Sequence, residues 1–276
     1  MSRTGPILRA GFTLVEMVVV IVITGVIVAS VAVFIRQPVQ GYVDATRRAE
    51  MSDIADTALR RMARDLKLAL PNSIRLTDGD QTLELLMTRT GGRYRTTGVG
   101  FLDFTQMASS LSQLGPFASG VGQSIIAGDR IVIYNLGIAG AEAYASDNSA
   151  DITSVDNTVL NEPIINFSSK QFPFESPDAR FQIVEGPVSY ACNTNAGQMN
   201  LTRYSGYPIT AAQPTAATLA TTATVRALLA SNVSACVFSY TPGVTARSGV
   251  VALTLRITVA GESVQLYQEA HVSNVP

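Results

Sequence analysis

The chain has 276 residues, a formal net charge of −1 and only 15% charged residues, a balance that excludes a globally basic nucleic-acid binder. The length allows one large domain or two small ones, with a sizeable core, beside an apolar N-terminal stretch. Cys192 and Cys236 form no CxxC arrangement and lie far from any second metal-binding pair. In an exported protein they read as a disulfide closing a loop of about 45 residues and contributing about 3 to 4 kcal/mol. Two buried free thiols are the alternative.

From 12 to 35 the only ionisable side chain is Glu16, and at about 1.5 Å per residue the run can cross a hydrocarbon core as a helix. A cleaved secretory signal would use Arg3 and Arg9 as its basic region and "SVA" at 30–32 as its cleavage site. The apolar run is about twice as long as such signals carry, and the acid fits them poorly. A plain anchor leaves Glu16 as a cost of about 2.5 to 3.5 kcal/mol without a role.

The stretch "GFTLVE" at 11–16 accounts for the acid, because it resembles the type IV prepilin signature. The resemblance implies a leader peptide at 1–11 and a membrane-embedded prepilin peptidase that cuts between Gly11 and Phe12 and methylates the Phe12 amine. Gly11, lacking a side chain, lets the backbone enter a narrow protease cleft. In a filament, Glu16 of one subunit would pair with the Phe12 ammonium of a neighbour, which satisfies two charges that are costly alone in low dielectric. The implied partners are major and minor pilins, the peptidase and the inner-membrane assembly platform. The implied location is the bacterial inner membrane with a periplasmic head, then the pilus.

Pro38 lacks an N–H and clashes with the preceding turn, so it is expected to end or kink the membrane helix of 12–37. Helical patterning resumes over 38–70. There Met51, Ile54, Ala55, Ala58, Met62, Leu66 and Ala69 share one arc, while Asp53, Asp56, Arg60, Arg64 and Lys67 face away. Asp56 and Arg60 have i,i+4 spacing; Asp65 lies beside the apolar arc, with Arg61 as its expected partner.

After Pro71 the period changes to that of strands, giving a head over 71–276. "SIRLTDGDQTLELLMTR" reads as a hairpin around Asp78 and Gly79, and "RYRTTG" as a further strand. "FLDFTQMASSLSQLG" reads as a short helix or an irregular excursion, and "DRIVIYNLG", "PIINFSS", "RFQIVEGPVSYAC" and "MNLTRYSG" as strands. The Ala/Thr-rich "PITAAQPTAATLATTATV" reads as a loop and "VRALLASN" as one or two helical turns. "ACVFSYTPG", "GVVALTLRITVAG" and "ESVQLYQEAHVSN" close the chain as strands.

The expected fold is α+β, a long N-terminal helix, transmembrane then amphipathic, packed on a mostly antiparallel β-sheet head, which is the type IV pilin-like layout. The head is large for a major subunit. "ADTALRRMARDLKLALPNSIR" and "RFQIVEGPVSYACN" are similar to the MshO-type minor pilins of mannose-sensitive haemagglutinin pili, themselves similar to the J pseudopilins of type II secretion.

Other chemistry is sparse. His271, the single histidine, lies in an expected strand without a nucleophile motif, so the chain does not read as an enzyme. There is no His/Cys metal cluster and no dinucleotide fingerprint, so no cofactor is expected. Asp147 and Asp151 are the candidate calcium ligands, with turn chemistry as the ordinary alternative. Arg89, Arg93 and Arg95 around Tyr94 are the candidate DNA contacts, with a solvated hairpin as the commoner reading.

Overall fold

Helix α1, Leu14–Lys67, passes through Pro38 without ending there. A proline removes one backbone donor and crowds one carbonyl; here the turns on either side keep the helix continuous. In this computed structural model the described residues are 11–117, 124–158, 161–195, 198–243 and 248–276, so the expected leader, apart from Gly11, lies outside them. The contacts divide the chain into two units, 1–50 and 51–276.

α1 is the one described helix long and apolar enough to span a membrane, and within the first unit its large apolar side chains, from Leu14 to Val43, are exposed. Its internal hydroxyls satisfy themselves, Thr24 donating to the carbonyl of Val20 at 2.5 Å and Ser30 to that of Val26 at 2.8 Å.

Among the described residues of the second unit, eleven strands and a short helix follow α1: β1 Arg75–Thr77, β2 Thr82–Arg93, β3 Ala108–Ser112, β4 Arg130–Ile133, β5 Ser149–Asp156, β6 Ile164–Lys170, β7 Arg180–Asn195, β8 Gln198–Ser205, α2 Ala216–Thr222, β9 Val225–Thr241, β10 Gly249–Val259 and β11 Glu262–Val272. All the strand pairs are antiparallel. β7 organises the sheet. One edge pairs with β2 from Arg180↔Arg93 to Ala191↔Thr82. The other pairs first with β4 and then, beyond Gly186 and Pro187, with β8. Pro187 donates no ladder bond, which suits the point where the partner changes. Two arms result, β4-β5-β6-β3 and β8-β9-β10-β11.

Each arm has its own core. Met51, Ala55, Ala58, Leu59, Met62 and Leu66 of α1 pack on β2, β7 and the β8 to β11 arm. Tyr94, Phe167, Phe172 and Phe181 fill the other arm, with the Phe167 and Phe172 rings edge-on at 5.6 Å. The buried arc of α1 is rotated from the expected one: Leu59 and Ala63 are inside it, whereas Ile54 is 41% exposed.

Several expectations need correction. "RYRTTG" is not a separate strand, because β2 runs on through Gly91 and Gly92 to Arg93. A Cβ at Gly92 would lie 2.8 Å from the Phe181 ring, so glycine here permits close packing rather than a break. The stretch expected to be helical or irregular after Phe101 contains β3, paired with β6. β5 arises where no strand was expected. The Ala/Thr stretch holds α2, whose N-cap Thr215 accepts from the Thr218 amide. "VRALLASN" is the start of β9, pulled into the sheet by its pairing with β8.

Candidate functional site

Thr13 ends the chain's extended start. Its carbonyl accepts from the Met17 amide at 3.2 Å and its hydroxyl from the Glu16 amide at 3.3 Å, the geometry of an N-cap. Glu16 is therefore the third helical residue, where an acid is favoured by the helix dipole. The T-x-x-E spacing of a capping box carries that signal in the sequence, independently of the prepilin resemblance. Phe12 is 79% exposed just ahead of the cap, and Glu16 is exposed on the first turn. At Gly11 a Cβ would meet nothing within 4 Å, so the chain's own packing makes no demand for glycine there.

In the head, the buried charges hold elements together. Asp65, on the last turns of α1, accepts from the Tyr190 hydroxyl at 2.6 Å and from Arg203 Nε at 2.9 Å. Arg61, the expected partner, stands farther off at 3.5 Å. Burial pushes the Tyr190 hydroxyl up, and the Asp65 carboxylate pushes it further. Burial works against the Arg203 charge, but its bonds to Asp65 and Tyr190 prevail and hold its pKa above the usual value.

A second buried cluster centres on Glu84. Its carboxylate takes Arg75 Nε at 2.6 Å and the Tyr207 hydroxyl at 3.0 Å, and Ser189 lies 2.6 Å from that hydroxyl. Arg75 also donates to the carbonyls of Thr210 and Ala211 and stacks over Tyr144 at 3.5 Å. Burial raises the Glu84 pKa despite these partners. The cluster ties β1 and β2 to two loops.

Cys192 and Cys236 form a disulfide with a Cα separation of 6.3 Å, joining β7 to β9. The β1–β2 turn is bound to the same two strands, Gln81 accepting from the Cys192 amide and Asp80 from the Phe238 amide.

The structure does not bring Asp147 and Asp151 together as a ligand set. Asp147 lies in a turn and accepts from the Gly140 amide at 2.9 Å, whereas Asp151 is on β5 and pairs with Arg130 at 2.8 Å. Among the described residues no three His, Cys, Asp or Glu side chains group as a metal site. Of the arginine cluster, Arg89 pairs with Asp129 at 2.9 Å and Glu185 at 3.2 Å, and Arg95 pairs with Glu162. Arg93 is exposed, but Tyr94 is fully buried and accepts from the Ser176 amide, its hydroxyl pushed up to about 12 by burial. His271 is an exposed residue of β11, opposite Val250 of β10.

One family model, the prokaryotic N-terminal methylation motif, matches residues 8–32. No curated protein and no solved structure matches the chain. The match covers Gly11, Phe12, the Thr13 cap and Glu16, and it implies processing by a prepilin peptidase and assembly with other pilins. The chain carries a type IV pilin-like prepilin signal at the start of a membrane-capable helix that continues into an antiparallel β head.

Proposed function

We propose that the chain is a non-enzymatic minor pilin subunit of a type IV, MSHA-like pilus, of the MshO type, which helps initiate assembly or forms part of the tip. It waits in the inner membrane with its head in the periplasm, is cleaved before Phe12, and enters the filament through α1. The observation that carries this reading is the methylation motif at 8–32 leading into a helix whose large apolar residues are exposed from Leu14 to Val43. Gly11 supports it, since glycine there answers to nothing in the chain's own packing. The two-armed head adds a β lobe that α1 does not touch in its core, which suits a subunit present in few copies.

N-terminal sequencing of the membrane-extracted protein tests the processing step. Methyl-Phe12 at the start is the expected result, and an intact Met1 or a start at Val33 would overturn it. Deletion, with pili counted and secretion assayed, tests the assembly role. Fewer pili are expected; normal pili with lost secretion would assign the chain to the J-type pseudopilins, and normal pili with lost adhesion to a pilus-borne binding module.

A further inference from the structure

The outer face of β7, β8 and β9 carries a cleft of about 930 Å³ beside α2. Strand register places Asn193 opposite Asn200 at its floor, with Thr202 facing Leu228 next along and Tyr204 facing Arg226 beyond. The α2 wall is made of Ala216, Ala217 and Ala220, side chains too short to close the space. The side-chain oxygens of Asn193 and Asn200 are buried and have no hydrogen-bond partner among the described residues. A buried acceptor left unpaired costs about 1 to 3 kcal/mol, and these two stand on neighbouring strands beneath the cleft.

A separate observation concerns the neighbouring strand edge. β9 pairs with β8 from Val225 to Val233, but β10 joins its far edge only from Val233 onward. Among the described residues no strand pairs with that edge over 225–232, and Val225 and Leu228 are 54% and 63% exposed there. Arg226 and Leu228 belong both to this open edge and to the cleft.

We propose that this face takes an extended peptide segment of another protein, which adds as a strand to the open edge of β9 and sets alternate side chains into the cleft. The edge supplies main-chain donors and acceptors in the repeat of a strand, and the cleft supplies pockets on one side of it, the two parts of recognition by strand addition. Asn193 and Asn200 stand on β7 and β8, about 14 and 10 Å from a strand added beyond β9, so they line the cleft without meeting its main chain. Leu228 and the alanine wall favour apolar side chains, and the exposed Arg226 favours an acidic one beside them. The Asp78 carboxylate at the cleft's other wall is held by the Ala216 amide at 2.7 Å and the Thr82 hydroxyl at 2.8 Å and keeps its charge, so the acidic side chain belongs beside Arg226 and away from Asp78. This proposal does not depend on how the chain enters a filament.

The test uses the full chain purified in detergent and an array of ten-residue peptides alternating apolar with polar or acidic residues. Retention of acidic–apolar peptides is expected, weakened about tenfold or more by Ala217→Trp, which fills the cleft from an exposed position, and by Arg226→Glu. Peptides N-methylated at alternate backbone nitrogens, in the phase that faces β9, should lose binding while the opposite phase keeps it. Equal binding by both phases, indifference to both variants, or no retained peptide would overturn the proposal. So would retention on a parallel oligosaccharide array that Ala217→Trp alone abolishes, since that would give the cleft to a different ligand class. Unchanged thermal unfolding of the variants shows that lost binding is not lost folding.

Discussion

Asp65 and Tyr190 share a 2.6 Å hydrogen bond that fixes the end of α1 to the centre of β7. Arg203 on β8 reaches the same carboxylate oxygen, and only 7% of the Asp65 side chain and 14% of the Arg203 side chain remain exposed. Removing the acid would leave a buried guanidinium and a buried hydroxyl without their acceptor. Asp65→Ala should therefore destabilise the head by about 3 kcal/mol. Arg61→Ala should cost below about 1 kcal/mol, because Arg61 is half exposed and stands 3.5 Å away. Denaturant midpoints of the two variants check the order; equal losses would contradict it.

The Glu84 cluster predicts a pH dependence of stability. Burial raises the folded pKa of Glu84 above 4.5, so the folded chain holds that proton more tightly than the unfolded one. Its contribution is fully present below 4.5 and is lost as pH rises through the folded value. Asp103 and Asp156, held low by hydrogen bonds from Thr105 and Thr158, act with the opposite sign, so the total curve mixes both. The difference between the parent and Glu84→Gln isolates the first contribution: the parent's advantage over the variant should shrink from acid toward neutral pH. Urea midpoints measured across that range check it, and an advantage that grows with pH would refute the assignment.

The disulfide predicts a larger and simpler loss. Cys192 and Cys236 are 44 residues apart and their strands are also pinned to the β1–β2 turn. Reduction, or Cys192→Ser with Cys236→Ser, should cost about 3 to 4 kcal/mol, read as a lowered unfolding midpoint in denaturant. A midpoint insensitive to reductant would place the stabilisation elsewhere.

What was legible in the sequence follows from the range of the interaction that decides each element. The Asp78–Gly79 hairpin was readable because turn and flanking alternation are local, and Asp78 and Gly79 take the positive φ that the turn requires. The second half of β9 was readable from "ACVFSYTPG", but the first was not, because Val225 to Asn232 has no alternation of its own and becomes a strand through β8. Gly91 and Gly92 looked like a break and prove to be clearance for Phe181. Asp65 stood out beside an apolar arc and does pair with Arg61 at 3.5 Å, but its two closer partners lie 125 and 138 residues away and no spacing rule reaches that far. Tyr94, taken with the arginines as a surface group, is core for the same reason. The N-terminal motif was legible because it lies in one short contiguous stretch, and the methylation-motif model matches there over 8–32.

Two physical roles meet at Glu16, and they make different predictions. As the third residue of α1 beneath the Thr13 cap, an acid helps the helix start by about 0.3 to 1 kcal/mol, and the cap itself adds about 1 kcal/mol. As half of an ion pair with a neighbour's methylated Phe12 amine, it would contribute only after cleavage and only between subunits. Thr13→Ala weakens the cap and keeps the charge, whereas Glu16→Gln keeps length and hydrogen-bonding capacity and removes the charge. If the inter-subunit pair governs assembly, Glu16→Gln should reach the membrane at parental level and enter sheared pili at least about tenfold less, with Thr13→Ala close to parental. Immunoblots of membrane and sheared-pilus fractions measure both. Parental incorporation of Glu16→Gln would reduce Glu16 to a helix-start residue, while equal losses from the two variants would locate the defect in the first turn of α1 rather than in a charge pair.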